Sequence, residues 1–490
     1  MNLSSQLIAI EEAEVDITSF IISGIFIVNI IFAIVVIFFE RQNPNSTWAW
    51  LMVLMFLPVI GFILYLIFNQ NFSRKHLFYW PDEEKMGITN RITEQTEAIK
   101  NGSFPFKNED SAAYKDNIYM HLVNSGAILT QDNAVTIYTD GREKFNALLA
   151  DIKHATDHIH IQYYIIHEDG LGKELLSALT EKARQGIDVR ILYDYMGSRG
   201  LSANFFSDLK QAGGLVAVFF PHLHLNYRNH RKLAIIDGGI GYIGGFNVGD
   251  EYLGLNDKFG YWRDTHLRTQ GQVVHALQTR FILDWNQASK RHPFIYQERY
   301  FPDTPEAGNV GAQIVASGPD TEWQQIRNGY VKMILSAKEY VYLQTPYFIP
   351  SEALLNAVEI ASLSGIDVRI MIPDKPDHMF VYWATMSNVG DLLKAGARVY
   401  VYENGFIHAK TLVADDTMSS VGTANFDIRS FRLNFEVNAF LYDQAASTEL
   451  RRVFEQDIHL AKELTLEEYH KRPMMVKLKE SVSRLLSPIL

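Results

Sequence analysis

Two short stretches of this chain repeat one pattern: His230-Arg-Lys232-Leu-Ala-Ile-Ile-Asp237 and His408-Ala-Lys410-Thr-Leu-Val-Ala-Asp415. In each, a Lys follows the His by two residues and an Asp follows the Lys by five. Gly244 and Gly422 each lie fourteen residues past their His, and Asn247 and Asn425 each lie seventeen past. A single H-x-K-x4-D arises easily by chance. Two copies with matched downstream Gly and Asn restrict the chain to folds built from a duplicated unit.

The residue types say what such a unit can do. In an extended segment, residues i and i+2 project from one face, so the His and Lys of each motif point into the same space. The apolar residues that follow (Leu233, Ile235, Ile236; Leu412, Val413, Ala414) read as a buried strand. Two units facing each other supply two imidazoles and two ammonium groups, a set suited to phosphoryl transfer. One neutral His attacks phosphorus, the other, protonated, delivers a proton to the leaving oxygen, and the lysines hold the phosphate charge.

Further motifs are Asn229-His-Arg-Lys232, Trp262-Arg-Asp264, Gln344-Thr-Pro-Tyr-Phe-Ile-Pro350 and Gly422-Thr-Ala-Asn-Phe-Asp-Ile-Arg-Ser430. With these the chain resembles, over nearly its whole length, the phospholipase D superfamily and within it the two-motif, membrane-anchored bacterial cardiolipin synthases. Thr423 stands where that family often has Ser, and a hydroxyl is kept. The resemblance implies His230 as nucleophile, since the first motif usually carries it, and His408 as general acid and base. It implies Lys232 and Lys410 as phosphate holders, with Asn247 and Asn425 donating to the phosphate oxygens. Asp264 and Glu436, some thirty positions after each motif, are expected to orient the histidines and fix their tautomers. Asp237 and Asp415 complete the catalytic motif set. Lying beyond a buried apolar run, they are expected to act behind the site, as an ion pair or cap.

The implied reaction moves a phosphatidyl group from one phosphatidylglycerol to another through a phosphatidyl-histidine, giving cardiolipin and glycerol. No metal and no cofactor are expected. The rivals are a phospholipase D-type hydrolase or transphosphatidylase, and a catalytically inactive membrane protein that binds anionic lipid. Expected partners are phosphatidylglycerol and membrane lipid, not nucleic acid, and homo-oligomerisation is left open. The formal net charge of −11 argues against bulk attraction to nucleic acid, so positive potential must be local to the cleft and to a membrane-facing rim. The absence of cysteine excludes a disulfide framework and thiolate metal sites.

In chain order, residues 1–16 form an acidic tail, too negative for a signal peptide. Residues 17–39 and 46–68 are uncharged runs of 23, each rising roughly 34 Å as a helix against a bilayer core of about 30 Å. Trp48, Trp50 and Tyr65 sit near the ends of the second run, as interfacial anchors do. Arg41 alone lies in the connection, whereas Arg74, Lys75 and Lys85 follow the second run, which favours a cytoplasmic catalytic domain in a multi-pass protein of the bacterial cell membrane.

A linker is expected over residues 69–115. Lobes follow at 116–295 and 310–465, each with strand–helix–strand order, and Gly-Ile-Asp-Val-Arg-Ile occurs at both Gly186 and Gly365. The fold class is α/β, two pseudo-twofold-related phospholipase D-like lobes sharing an active-site cleft, preceded by two transmembrane helices. Residues 466–490 read as a basic amphipathic tail, either lying on an anionic membrane or docked on the lobes. His222 and His224 read as rim or loop residues. Residues 379–383 read as a lobe helix whose aromatic side chains make it the first candidate for a lipid-contacting edge.

Overall fold

The computed structural model describes residues 87–220, 226–375 and 377–485, together with 19–20, 23–34, 44–57, 60–62, 65 and 78. The chain divides into two units, Met1–Asn71 and Phe72–Leu490. In the first, residues 23–34 and Pro44–Phe56 are helical, and Asn29 Nδ2 donates to the Leu54 carbonyl at 2.8 Å. Among the described residues no helix is long and apolar enough to cross a membrane. Parts of both expected spans lie outside the described residues, as do His222 and His224.

The second unit is built on one continuous sheet. Its first half contains β1 (Thr130–Tyr138), β2 (His158–Tyr163), β3 (Asp188–Asp194), β4 (Leu215–Phe219), β5 (Leu233–Ile236), β6 (Ile240–Gly244) and β7 (His266–Gln270). Its second half contains β8 (Val310–Ser317), β9 (Tyr340–Gln344), β10 (Asp367–Pro373), β11 (Arg398–Tyr402), β12 (Thr411–Ala414), β13 (Met418–Gly422) and β14 (Asn434–Tyr442). β15 (Ala461–Leu464) extends the outer edge beside β11. Outward from the join, the first lobe runs β1-β7-β6-β5-β2-β3-β4 and the second β8-β14-β13-β12-β9-β10-β11. The orders are identical once the second set is renumbered, which is the expected duplication. β1 and β8 pair antiparallel and fuse the lobes edge to edge.

Helices flank the sheet: α1 (Gly141–His154), α2 (Gly170–Arg184), α3 (Val273–Ala288), α4 (Gln325–Ser336), α5 (Glu352–Leu363), α6 (Met379–Ala395), α7 (Gln444–Ile458) and α8 (Met474–Leu485). Asp140, Asp169 and Asp443 cap α1, α2 and α7 by accepting from backbone N–H groups of the first turn. The repeated Gly-Ile-Asp-Val-Arg-Ile ends the two crossover helices. Gly186 and Gly365 take φ of 86° and 88°, a left-handed turn open to glycine, and the next residues enter β3 and β10.

One apolar cluster contains Leu277, Phe281 and Trp285 of the first lobe and Val437, Leu441, Leu450 and Phe454 of the second, so the lobes share a core. The stretch expected as linker differs from that reading. It contains a helix, Ile88–Lys100, whose Ile99 is buried in the second-lobe core with Ile118 and Leu122. Its charged residues Glu94 and Glu97 face outward, which is what made the segment read as solvated.

Candidate active site

Each motif histidine sits just ahead of a central strand, near the carboxyl end of the parallel pair that begins its lobe. Two short parallel pairings fix the backbone there. Arg228–Asn229 pairs with Asn434 and Phe435, and Phe406–Ile407 pairs with Trp262 and Arg263. The His230 N–H donates to the Phe435 carbonyl at 2.9 Å, and the His408 N–H to the Arg263 carbonyl at 2.7 Å. Each histidine is thus zipped to the residue before the carboxylate of the other lobe.

The side chains follow. His230 Nδ1 lies 3.0 Å from both oxygens of Glu436, and His408 Nδ1 lies 2.6 Å from Asp264 Oδ2. The acids are therefore exchanged between lobes, where sequence order pointed to one acid after each motif serving the histidine before it. Neither half-site is complete within its own lobe. Glu436 also accepts from the Thr423 hydroxyl at 2.5 Å and from Asn434 Nδ2 at 3.1 Å, so the hydroxyl kept at position 423 aims the carboxylate.

Both motif lysines are fully buried. Lys232 Nζ donates to the His230 carbonyl at 2.6 Å, and Lys410 Nζ donates to the His408 carbonyl. Lys410 Nζ also stands 2.8 Å from His408 Nδ1. An ammonium and an ionised carboxylate on one ring nitrogen assign the proton of that nitrogen to the Asp264 bond. Both imidazoles then carry hydrogen on Nδ1, leaving the Nε2 lone pair toward the cleft.

Burial pushes the His230 imidazole down to about 4, a fall that Glu436 opposes and Lys232 and Lys410 reinforce. Burial and then Lys410 lower His408, against the pull of Asp264. Burial lowers Lys410 to about 8 and Lys232 well below the usual ammonium range, with both acids opposing it. Burial alone would raise Asp264 and Glu436, but the opposing lysine and histidine of each site hold them low. Each motif feels the lysine of the other lobe, so the two half-sites share one field.

Asn247 and Asn425 are buried three residues past β6 and β13. Asn247 Oδ1 accepts from the Ile165 N–H at 3.1 Å, and its amide donates to the Tyr252 hydroxyl at 3.3 Å. Asp237 and Asp415 are not brought to the histidines. They turn the hairpins at the far ends of β5 and β12, about 16 Å from their lysines at ~3.3 Å per strand residue. There, at φ of 50° and 52°, they accept from the backbone N–H groups of Thr156, Asp157 and His158, and of Lys338, Glu339 and Tyr340. They are caps and not members of the cleft.

Other contacts involve residues to which the motif reading gives no role, several of them inside the motifs themselves. The Tyr164 ring stands edge-on to His230, centroids 4.8 Å apart, and the Trp262 ring lies 5.1 Å from His408. Arg231 bonds Asp284 at 2.7 Å and the Glu436 carbonyl at 3.0 Å. Arg263 bonds Asp457 at 2.9 Å. Gln162 and Gln344, at the ends of β2 and β9, donate to those same aspartates at 2.7 and 2.8 Å.

The chain is similar to known proteins over nearly its whole length. The family model described as cardiolipin synthase, PLD-like domain, matches residues 148–285 and 330–458, and that of the phospholipase D-nuclease N-terminal region matches 27–69. The major cardiolipin synthase of Bacillus subtilis is 60% identical over 480 residues, 97% of this chain and 100% of that protein. A cardiolipin synthase of Listeria monocytogenes is 56% identical over 470 residues, 95% of this chain and 98% of that protein. Among solved structures, a phosphatidylserine synthase of Haemophilus influenzae superposes with a TM-score of 0.60 at 15% identity, covering 78% of this chain and 100% of that one, a likeness of fold. The chain belongs to the cardiolipin synthase family, whose catalytic unit is a duplicated phospholipase D-like domain.

Proposed function

We propose that the cleft transfers a phosphatidyl group between two phosphatidylglycerols by way of a covalent phosphatidyl-histidine. The observation that carries the reading is the pair of buried histidines, each held through Nδ1 by an acid of the opposite lobe, with Nε2 left to the cleft.

Neutral His230 Nε2 attacks phosphorus, and the P–O bond to the glycerol headgroup breaks. His408, protonated, gives its proton to the departing oxygen. Neutral His408 then takes the proton from the primary hydroxyl of a second phosphatidylglycerol, whose oxygen attacks phosphorus and breaks the P–N bond. Cardiolipin leaves, His230 is regenerated and His408 is again protonated. Charge supports the order of events. Lys232, Lys410, Asp264 and Glu436 sum to zero when both imidazoles are neutral. An arriving phosphodiester adds one negative charge and favours the one extra proton that His408 needs. The same anion counters the burial that lowers the lysines. Lys232 and Lys410 hold the non-bridging oxygens, Asn247 and Asn425 donate to them, and Glu436 steadies the positive charge that grows on His230. The N-terminal unit anchors the protein in the bacterial cell membrane by two spans, with the catalytic unit cytoplasmic.

The test is to supply the purified protein with labelled phosphatidylglycerol and identify the products. Cardiolipin with free glycerol is expected. Phosphatidic acid in its place would mean that water is the acceptor, and no turnover would leave only lipid binding. Reporter fusions after residue 75 should give a cytoplasmic signal.

A further inference from the structure

The C-terminal helix α8 is attached to the protein by its polar side. At about 100° per residue, Val476, Glu480 and Ser483 fall on one stripe, and it is Glu480 and Ser483 that are buried. Met474, Met475, Leu478, Val482 and Leu485 fall within an arc of roughly 100° on the other side. They are 85%, 62%, 57%, 48% and 81% exposed. A terminal helix that docks to gain stability in water does the reverse, burying its apolar stripe.

The attachment is specific. Arg472 pairs with Glu480, Lys479 Nζ sits 5.0 Å from the centre of the Trp383 ring, and Arg484 lies 3.6 Å from Asp391. Just ahead of α8, the Tyr469 hydroxyl donates to the Met386 carbonyl at 3.0 Å. All these anchors are on α6 or within the tail. The first turn of α6 leaves Met379 and Phe380 about half exposed, and the Phe380 ring stands 5.5 Å from that of Trp383, against which Lys479 of α8 lies. Lys477, Lys479 and Arg484 flank the apolar arc of α8.

We propose that α8 and the first turn of α6 form a docking platform for an anionic lipid surface, setting the cleft mouth at the bilayer. Cations flanking an apolar stripe match the chemistry of a lipid interface, where apolar side chains enter the headgroup–acyl boundary and lysines meet the headgroups. The platform adjoins the site. Asp377, two residues before Met379, accepts from the Tyr347 hydroxyl, and its charge acts on Lys410. The proposal rests on the reading of a membrane-lipid substrate, but its test does not require turnover.

The chain has no cysteine, so one introduced thiol is a unique label site. Full-length protein carrying Leu478→Cys, Val482→Cys or, as an exposed control on the first lobe, Gln185→Cys is labelled with a fluorophore and reconstituted into phosphatidylglycerol/phosphatidylcholine vesicles. Lipids carrying a nitroxide high on the acyl chain should quench at 478 and 482 severalfold more than at 185. That excess should fall in vesicles of phosphatidylcholine alone. Quenching at 478 and 482 no greater than at 185 would overturn the proposal. So would self-quenching among fully labelled chains that is relieved by unlabelled protein, which would mean that a second copy covers the face. Equal quenching in neutral vesicles would overturn the anionic requirement. The product assay can fail while this quenching holds, which separates the platform from the reaction.

Discussion

Arg231 and Arg263 place a guanidinium in matching parts of the two half-sites from positions that do not correspond. Arg231 follows the first-lobe histidine, where the second lobe has Ala409. Arg263 precedes the first-lobe acid, where the second lobe has Phe435. One half-site is thus built from Arg231 and Phe435, the other from Ala409 and Arg263, with one large cation and one apolar partner in each. Both guanidiniums neutralise an aspartate at the equivalent place on α3 or α7.

The two aspartates are not equally supported. Asp284 keeps Arg280 at 2.5 Å when Arg231 is removed, whereas Asp457 keeps the neutral Gln344. Stranding a buried charge costs about 3–5 kcal/mol. Arg263→Ala should therefore lower the melting temperature of detergent-solubilised protein more than Arg231→Ala does. Adding Phe435→Arg to Arg231→Ala, which copies the other half-site, should recover part of the loss. Equal losses in the single variants would show that Arg280 carries no share.

Thr423 should tolerate Ser and not Val. Its hydroxyl donates to Glu436 Oε2, and a methyl in its place leaves a buried carboxylate oxygen short of one donor while His230 loses a fixed partner. Thr423→Ser should turn over within a few-fold of the parent. Thr423→Val should be slower, and Glu436→Gln slower still, on the order of 10³–10⁴-fold, as expected when the group behind a catalytic imidazole loses its charge. Measured initial rates that rank Val above Ser would remove Thr423 from this role.

How far the sequence could go is clear from these residues. His230 and His408, their lysines and the two asparagines repeat at one constant offset, so pattern alone finds them. The exchange of Glu436 and Asp264 between lobes is a property of how the halves pack, and no spacing along one chain encodes it. Ala409 carries no polar signal, so the displacement of its arginine to position 263 is invisible until both halves share a core. The hydrophobic stripe of α8 is legible as amphipathic, but which side faces the protein depends on Lys479 and Arg484 meeting Trp383 and Asp391 of α6, with Glu480 paired to Arg472. Ile99 was hidden by the charges beside it.

Lys410 should not accept Arg. It is fully buried, bonded to the His408 carbonyl and close to the ring, so the space suits a compact ammonium and not a planar fork. Lys410→Arg should lose about 10²–10³ in rate, the usual cost of one preorganised donor. Near-normal turnover would show that another group holds the phosphate.

Acid should weaken the fold through buried histidines. His121, packed 4.4 Å from the Phe440 ring, is pushed down to about 3 by burial. A base whose folded pKa lies below its unfolded value of about 6.5 takes up its proton first in the unfolded chain. Its stabilisation is full above about 6.5 and is lost as the pH falls toward 3. By pH 4.5 the loss from His121 amounts to about 3 kcal/mol, two pH units at 1.36 kcal/mol each. The melting temperature of His121→Leu should fall less steeply than the parent's between pH 6.5 and 4.5. Parallel slopes would mean that His121 accepts its proton in the folded state.

The assignment of the nucleophile can be read from where label stops. A covalent bond to phosphorus leaves a cationic ring, and both oxygens of Glu436 stand at His230 Nδ1 to steady it, so the proposed assignment puts the intermediate on His230 and the transferred proton on His408. A donor with an activated leaving group needs no proton to depart. Given that donor, His408→Ala should form the intermediate and fail to resolve it, so labelled phosphatidyl should accumulate on His230. His230→Ala under the same conditions should accumulate none. Label on His408 in His230→Ala, with none on His230 in His408→Ala, would reverse the two roles and keep the two-histidine mechanism.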